Sequence, residues 1–113
     1  MMRMTVCKAL PVALVLCQPL PVSAEALSAE REAELHNMLV QDCGSCHGLT
    51  FKGGLGPSLL PAELQGKPRE FLIATILNGR PGTAMPPWHP LMTRQEAEWM
   101  LDKLMPSNDN APD

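Results

Sequence analysis

An all-α fold is predicted by three features of this 113-residue chain. Three separate stretches carry apolar residues at i, i+3, i+4 spacing, the period of a helix with one buried face. No stretch gives a strand signal. Glycine and proline, 8 and 12 of them, gather between the periodic stretches, where they interrupt regular structure. The length leaves room for one domain at most.

The elements follow in chain order. Residues 1–24 read as a secretory signal peptide. Arg3 and Lys8 form a positive start, Ala9–Val22 is uncharged and apolar, and Val22-Ser23-Ala24 offers small residues for cleavage. Broken by Pro11, Pro19 and Pro21, the apolar run falls short of the roughly 20 residues a membrane-spanning helix needs. A lipid anchor on Cys17 is the rival reading. Leu14-Val15-Leu16 argues against it, because a bulky leucine stands where such signals take a small residue. Cleavage after Ala24 leaves one domain over 25–106 and a short polar tail, 107–113, expected to be disordered.

Ser28 is the expected N-cap of a first helix over Ala29–Asp42. Glu30, Glu32 and Glu34 suit the positive end of its dipole, and Leu35, Met38 and Leu39 share a face. Phe51–Pro61 is rich in glycine and proline and reads as loop. A second helix is expected over Pro68–Asn78, with proline in its first turn, Leu72 and Ile76 on one face, and Asn78-Gly79 as its stop. Arg80–Pro90 holds four prolines and is expected to be irregular. The last helix begins at Thr93. Glu96 three residues on completes a capping box, Ala97, Met100, Leu101 and Leu104 form the apolar stripe, and Pro106 ends it.

Removing the leader takes Arg3 and Lys8 with it. Seven basic residues then face all twelve acids, a formal net charge of −5. That argues against nucleic acid as a partner and fits a neutral or positive protein surface better. The core is thin, with Phe51, Phe71, Trp88 and Trp99 as the aromatics left after cleavage. Domains of this size usually need a staple. Only Cys43 and Cys46 remain, so one disulfide is the most that cysteine could add.

Those two cysteines stand in Cys43-Gly44-Ser45-Cys46-His47, the pattern C-x-x-C-H. Two thiols at this spacing can each add to a haem vinyl group, with the next histidine under the iron. A thioredoxin-like redox pair needs a βαβ setting, which is absent. A structural zinc site needs more ligands, and His36 and His89 form no second pair. A Cys43–Cys46 disulfide closes too small a loop to stabilise much. One covalently attached haem c is therefore expected, and the haem itself supplies the missing staple.

The second axial ligand decides between open and closed iron. Met38, Met100 and Met105 fall on helices and read as core filler. Met85 sits in Gly82-Thr83-Ala84-Met85-Pro86-Pro87, a loop stiffened by prolines, and is the expected ligand. Met92, at the end of the same loop, is the reserve, and His89 ranks below it. His36 is expected to face solvent.

Taken together, C-x-x-C-H near the N-terminus, Leu55-Gly56-Pro57-x-Leu59, Ala84-Met85-Pro86-Pro87 and a final helix resemble the class I bacterial cytochromes c. The string Gly79–Trp88 is more particular. With Asp42–Gly48 and Lys52–Pro57 it resembles the NirC group, small periplasmic cytochromes of denitrification gene clusters that lie beside the cd1-type nitrite reductase. The resemblance implies a small class I cytochrome c fold of three to four helices around one covalently attached haem. It implies thioethers at Cys43 and Cys46, and axial ligation by His47 and Met85. It also implies that the Pro57 carbonyl meets the second nitrogen of His47, and that the first and last helices cross at Leu39 and Trp99. Trp99 lies off the main stripe of its helix.

The resemblance further implies an electron carrier in the periplasm, not an enzyme. Its partner would be cd1-type nitrite reductase or a haem d1 assembly protein, with no stable membrane insertion after cleavage. The exposed haem edge is expected near the Met85 loop, rimmed by Pro81, Pro86, Pro87 and Trp88. Trp88 could instead pack inside. A gas-binding sensor with a labile methionine is the alternative of another class. A peroxidase is not supported, because the Gly79–Pro90 loop lacks a distal acid–base pair.

Overall fold

The computed structural model describes residues 18–21 and 23–106. The tail and most of the expected leader, including Cys17, lie outside the described residues. Within them the chain is helical and carries no strand. Helix α1 spans Ala29–Met38, α2 Gly44–His47, α3 Pro61–Leu64, α4 Arg69–Asn78 and α5 Arg94–Leu104. No helix among the described residues is long and apolar enough to cross a membrane.

The α1 start is as its sequence dictates, with the Ser28 hydroxyl accepting from the Arg31 N–H at 3.2 Å. Its end differs from the expectation of one helix to Asp42. Regular α geometry stops at Met38, a wider π-helical turn covers Leu39–Cys43, and α2 follows without a break. The rod thus continues through His47. A π turn inserts a residue into the helical repeat and rotates everything after it. Period counting cannot see this, because Leu35 and Leu39 keep their spacing and are both buried. Gly48, at φ +89°, ends the rod. That conformation is cheap only for glycine.

Two further boundaries were not expected. Leu60–Gln65 contains the one-turn α3, started by Pro61 and anchored by buried Leu64. Pro68 caps α4 from outside rather than lying in its first turn. The α5 start matches expectation: Thr93 Oγ1 accepts from the Glu96 N–H at 3.3 Å, and Glu96 Oε2 accepts from the Thr93 N–H at 2.7 Å.

The core lies where α5 packs against both α1 and α4. Leu35 and Leu39 come from the first rod, Leu72 and Ile73 from α4, and Ala97, Met100 and Leu101 from α5. Leu104 and Ile76 are only partly buried, because they face the cavity described below. Trp99 is half-buried, with the Lys103 ammonium 4.8 Å above its ring. Arg31 crosses from α1 to the start of α5. Its guanidinium donates to Glu96 at 2.5 Å, to Glu34 at 2.9 Å and to the Leu91 carbonyl at 2.9 Å. Glu96 is the one buried carboxylate among the described residues. The Arg31 bond, then the Thr93 N–H, hold it below the usual carboxylate range against the opposing effect of desolvation.

Candidate haem site

The C-x-x-C-H residues occupy the end of the first rod, so one helical turn fixes their relative positions. Ser45 Oγ donates to the Asp42 carbonyl at 2.7 Å, tying the middle of the motif to its own helix. Cys43 and Cys46 are half-buried and unbonded to each other. Burial, with the Asp42 carboxylate adding to it, pushes the Cys43 thiol up to about 11. At neutral pH it therefore stays a thiol. Among the described residues no group of three or more His, Cys, Asp or Glu could hold a metal ion by itself.

His47 is buried, and its Nδ1 stands 2.7 Å from the Pro57 carbonyl oxygen. A carbonyl can only accept, so Nδ1 carries the proton. Nε2 keeps the lone pair a metal needs. The loop after His47 folds back to make this bond. Gly53 N–H donates to the His47 carbonyl at 2.8 Å, and Gly56 N–H to the Cys46 carbonyl at 2.8 Å. Gly56 lies so close beneath the imidazole that a Cβ on it would come within 2.6 Å of Cε1 and 2.7 Å of Nδ1. The glycine is there for space, which the Leu55-Gly56-Pro57 string alone did not reveal.

Opposite, the Met85 loop is held by its backbone. Arg80 N–H donates to the Met85 carbonyl at 3.1 Å, while Trp88 and His89 N–H donate to the Ile76 and Leu77 carbonyls at 3.2 and 3.0 Å. Gly79, buried and at φ +66°, has no room for a Cβ, which would lie 2.6 Å from the Met85 oxygen.

Between the two loops lies a cavity of about 440 Å³, within the range of small-molecule and cofactor sites. Cys43, Cys46, His47, Pro57 and Met85 all border it. Leu72, Ile76, Met100, Leu101 and Leu104 supply apolar wall from α4 and α5. Met92 does not border the cavity and is 4% exposed in the core. His36 and His89 are exposed and are not among its walls. Met100, read from sequence as core filler, is both core and cavity wall. Of the expected rim, Pro86 and Trp88 line the cavity, Trp88 half-buried against the core, while Pro81 and Pro87 stand outside it. Leu55 and Phe71, 90% and 51% exposed, complete the apolar mouth. Two thiols, an imidazole with a free Nε2, a thioether and an apolar slot between them are the donor set and space that a haem c requires.

Comparison with known proteins agrees with this geometry. Residues 30–102 match the family model described as cytochrome c oxidase, cbb3-type, subunit III. Cytochrome c55X of Pseudomonas aeruginosa is 53% identical over 97 residues, covering 85% of this chain and 82% of the relative. This chain belongs to the class I c-type cytochromes, in the NirC and cytochrome c55X family. A solved c-type cytochrome NirC superposes with a TM-score of 0.69 at 53% identity, covering 76% of this chain and all of the other. A second solved structure, dihydro-heme d1 dehydrogenase NirN in complex with DHE, gives a TM-score of 0.59 at 29% identity. That match covers 69% of this chain and 17% of the dehydrogenase. As a member of its family, this cytochrome is a haem-bearing electron carrier.

Proposed function

We propose that this cytochrome holds one haem, bonded through Cys43 and Cys46 and ligated by His47 and Met85, and carries single electrons to a cd1-type nitrite reductase in the bacterial periplasm. The observation that supports this most is that both thiols, the imidazole and the Met85 loop border one cavity. The haem supplies a one-electron iron couple. The chain's own task is to hold it unchanged in both redox states. Pro57 accepts from Nδ1, which fixes the His47 ring and raises its basicity toward the metal. Gly79 and the backbone bonds of Arg80, Trp88 and His89 keep the Met85 loop from drifting. Apolar walls from α4 and α5 exclude water and favour a high potential. Leu55, Phe71 and Pro86 leave an apolar patch at the mouth, suited to a brief encounter with a redox partner. The leader over residues 1–24 would export the chain.

A second reading has its own support. Likeness to part of a dihydro-heme d1 dehydrogenase favours a role as electron acceptor in the final oxidation of haem d1 synthesis. Stopped-flow mixing of the reduced cytochrome with purified cd1-type nitrite reductase separates the two. Rapid oxidation supports the donor role, and absent oxidation removes it in favour of haem d1 assembly. The near-infrared charge-transfer band of methionine-ligated ferric haem tests the closed site. Its absence, with ready CO binding to the reduced protein, would favour a gas-binding haem protein instead.

A further inference from the structure

Leu35 and Leu39, 0% and 4% exposed, set the face that α1 turns toward the core. Each residue of an α-helix advances about 100° around the axis. Continued as regular α-helix, this face would pass from Leu39 to Cys43 and then to Cys46, seven positions on. His47, eight positions on, would lie about 80° from Leu39, and Gly44 about 140° from it. The burial runs otherwise. Gly44 and His47 are buried, Cys43 and Cys46 are half-buried at the cavity, and Ser45 is exposed. That is the same face displaced by one residue.

The displacement arises in the π turn at Leu39–Cys43. The Gly44 N–H reaches the Leu39 carbonyl, five residues back, as well as that of Gln41. A π turn takes up one extra residue, which returns His47 to within about 20° of Leu39. Packing agrees with the displaced face. Gly44 lies against Leu49, where a Cβ would come within 3.3 Å of Leu49 Cδ2 and 3.5 Å of its Cα. A cysteine on that flank would be crowded. His47 Nδ1 meets the Pro57 carbonyl at 2.7 Å, and a ring turned about 80° around the axis would miss it.

We propose that the π turn at Leu39–Cys43 is the positioning element for the proximal ligand. By taking up one residue it brings His47 onto the Leu35–Leu39 face, against Pro57, and leaves both thiols at the cavity edge. This rests on the reading of Cys43, Cys46 and His47 as the haem site. The backbone of the turn does the positioning, so the number of residues between Leu39 and His47 matters more than their identity. A regular α-helix makes the same alignment with one residue fewer. A single π turn does not make it with one residue more.

The test uses the haem-loaded full-length protein and three variants at Gln41, which is exposed and gives up no packing. One is Gln41→Ala, one deletes Gln41, and one inserts an alanine after it. Covalent haem is read from the pyridine haemochrome spectrum, and ligation from the ferric spin state and the methionine charge-transfer band. Gln41→Ala and the deletion are expected to keep a low-spin ferric haem with that band. The insertion is expected to lose the band and turn the haem high-spin. A deletion variant that loses the band as completely as the insertion overturns the proposal. So does an insertion variant that keeps it, or a loss in Gln41→Ala, which would assign the role to the side chain. A crystal structure of the wild type decides the matter even if the deletion variant fails to mature. Gly44 N–H on the Leu39 carbonyl, with His47 Nδ1 within about 3.2 Å of the Pro57 oxygen, supports the proposal. A regular α-helix through Leu39–Cys43 overturns it. Should the wild type carry no covalent haem, the site reading fails rather than the assignment of the turn, which the same crystal structure still decides.

Discussion

Gly56→Ala adds a single methyl group directly beneath the proposed proximal ligand. The backbone at Gly56 is not in the left-handed region, so alanine meets no conformational penalty there. The cost is purely one of space. The new Cβ would lie 2.6 Å from His47 Cε1, 2.7 Å from Nδ1 and 3.2 Å from Nε2. Carbon atoms prefer about 3.5–4.0 Å, so the ring or the loop must move by roughly an ångström. The ring is buried and the loop is pinned by Gly56 N–H to the Cys46 carbonyl at 2.8 Å, so neither moves freely. Overpacking of this kind costs about 1–3 kcal/mol. Movement also breaks or lengthens the 2.7 Å bond from Nδ1 to Pro57, worth about 1 kcal/mol more. A total loss of about 2–4 kcal/mol follows. With a urea slope of about 1–2 kcal/mol/M for a domain this small, the unfolding midpoint of the mature protein should fall by about 1–4 M. The assay is urea unfolding followed by the haem absorption. A variant that unfolds at the wild-type midpoint with an unchanged slope would refute the steric argument.

Other outcomes follow from the same coordinates. Met85→Ala should abolish the methionine charge-transfer band. Met92→Ala should keep it but lose about 2–5 kcal/mol in denaturant unfolding, since Met92 is 4% exposed in the core. Thr93→Ala removes the N-cap acceptor of α5 and should cost about 1 kcal/mol by the same measurement. The Glu96 carboxyl is depressed below its ordinary 4.5, chiefly by Arg31. Its ionised form therefore contributes stability that is fully present above pH 4.5 and is lost as pH falls through the depressed folded value. Thermal melts of wild type between pH 6 and 3 should show that loss, and Glu96→Gln should show a shallower one. A variant with the wild-type acid profile would assign the loss to other carboxylates.

The relation between sequence and structure is clearest in single residues. Ser28, Thr93 and Glu96 announced their helix starts because caps are local chemistry, satisfied within three residues. The C-x-x-C-H pattern was legible for a similar reason, since its spacing is a requirement of one helical turn. The π turn at Leu39–Cys43 was not, because a widened turn leaves the buried Leu35–Leu39 spacing intact. Period alone could not rank the methionines by environment. Met85 and Met92 lie in one loop seven positions apart, yet one borders the cavity and the other fills the core.

The sequence by itself determined that the chain is helical, where α4 and α5 begin and end to within a residue or two, and where the thiol, imidazole and thioether groups stand along it. Each of these depends on near neighbours along the chain. The tertiary structure alone decided which donors share a cavity and why Gly56 and Gly79 cannot carry a side chain. Those facts depend on distances between segments remote in sequence: the loop under His47 and the loop opposite.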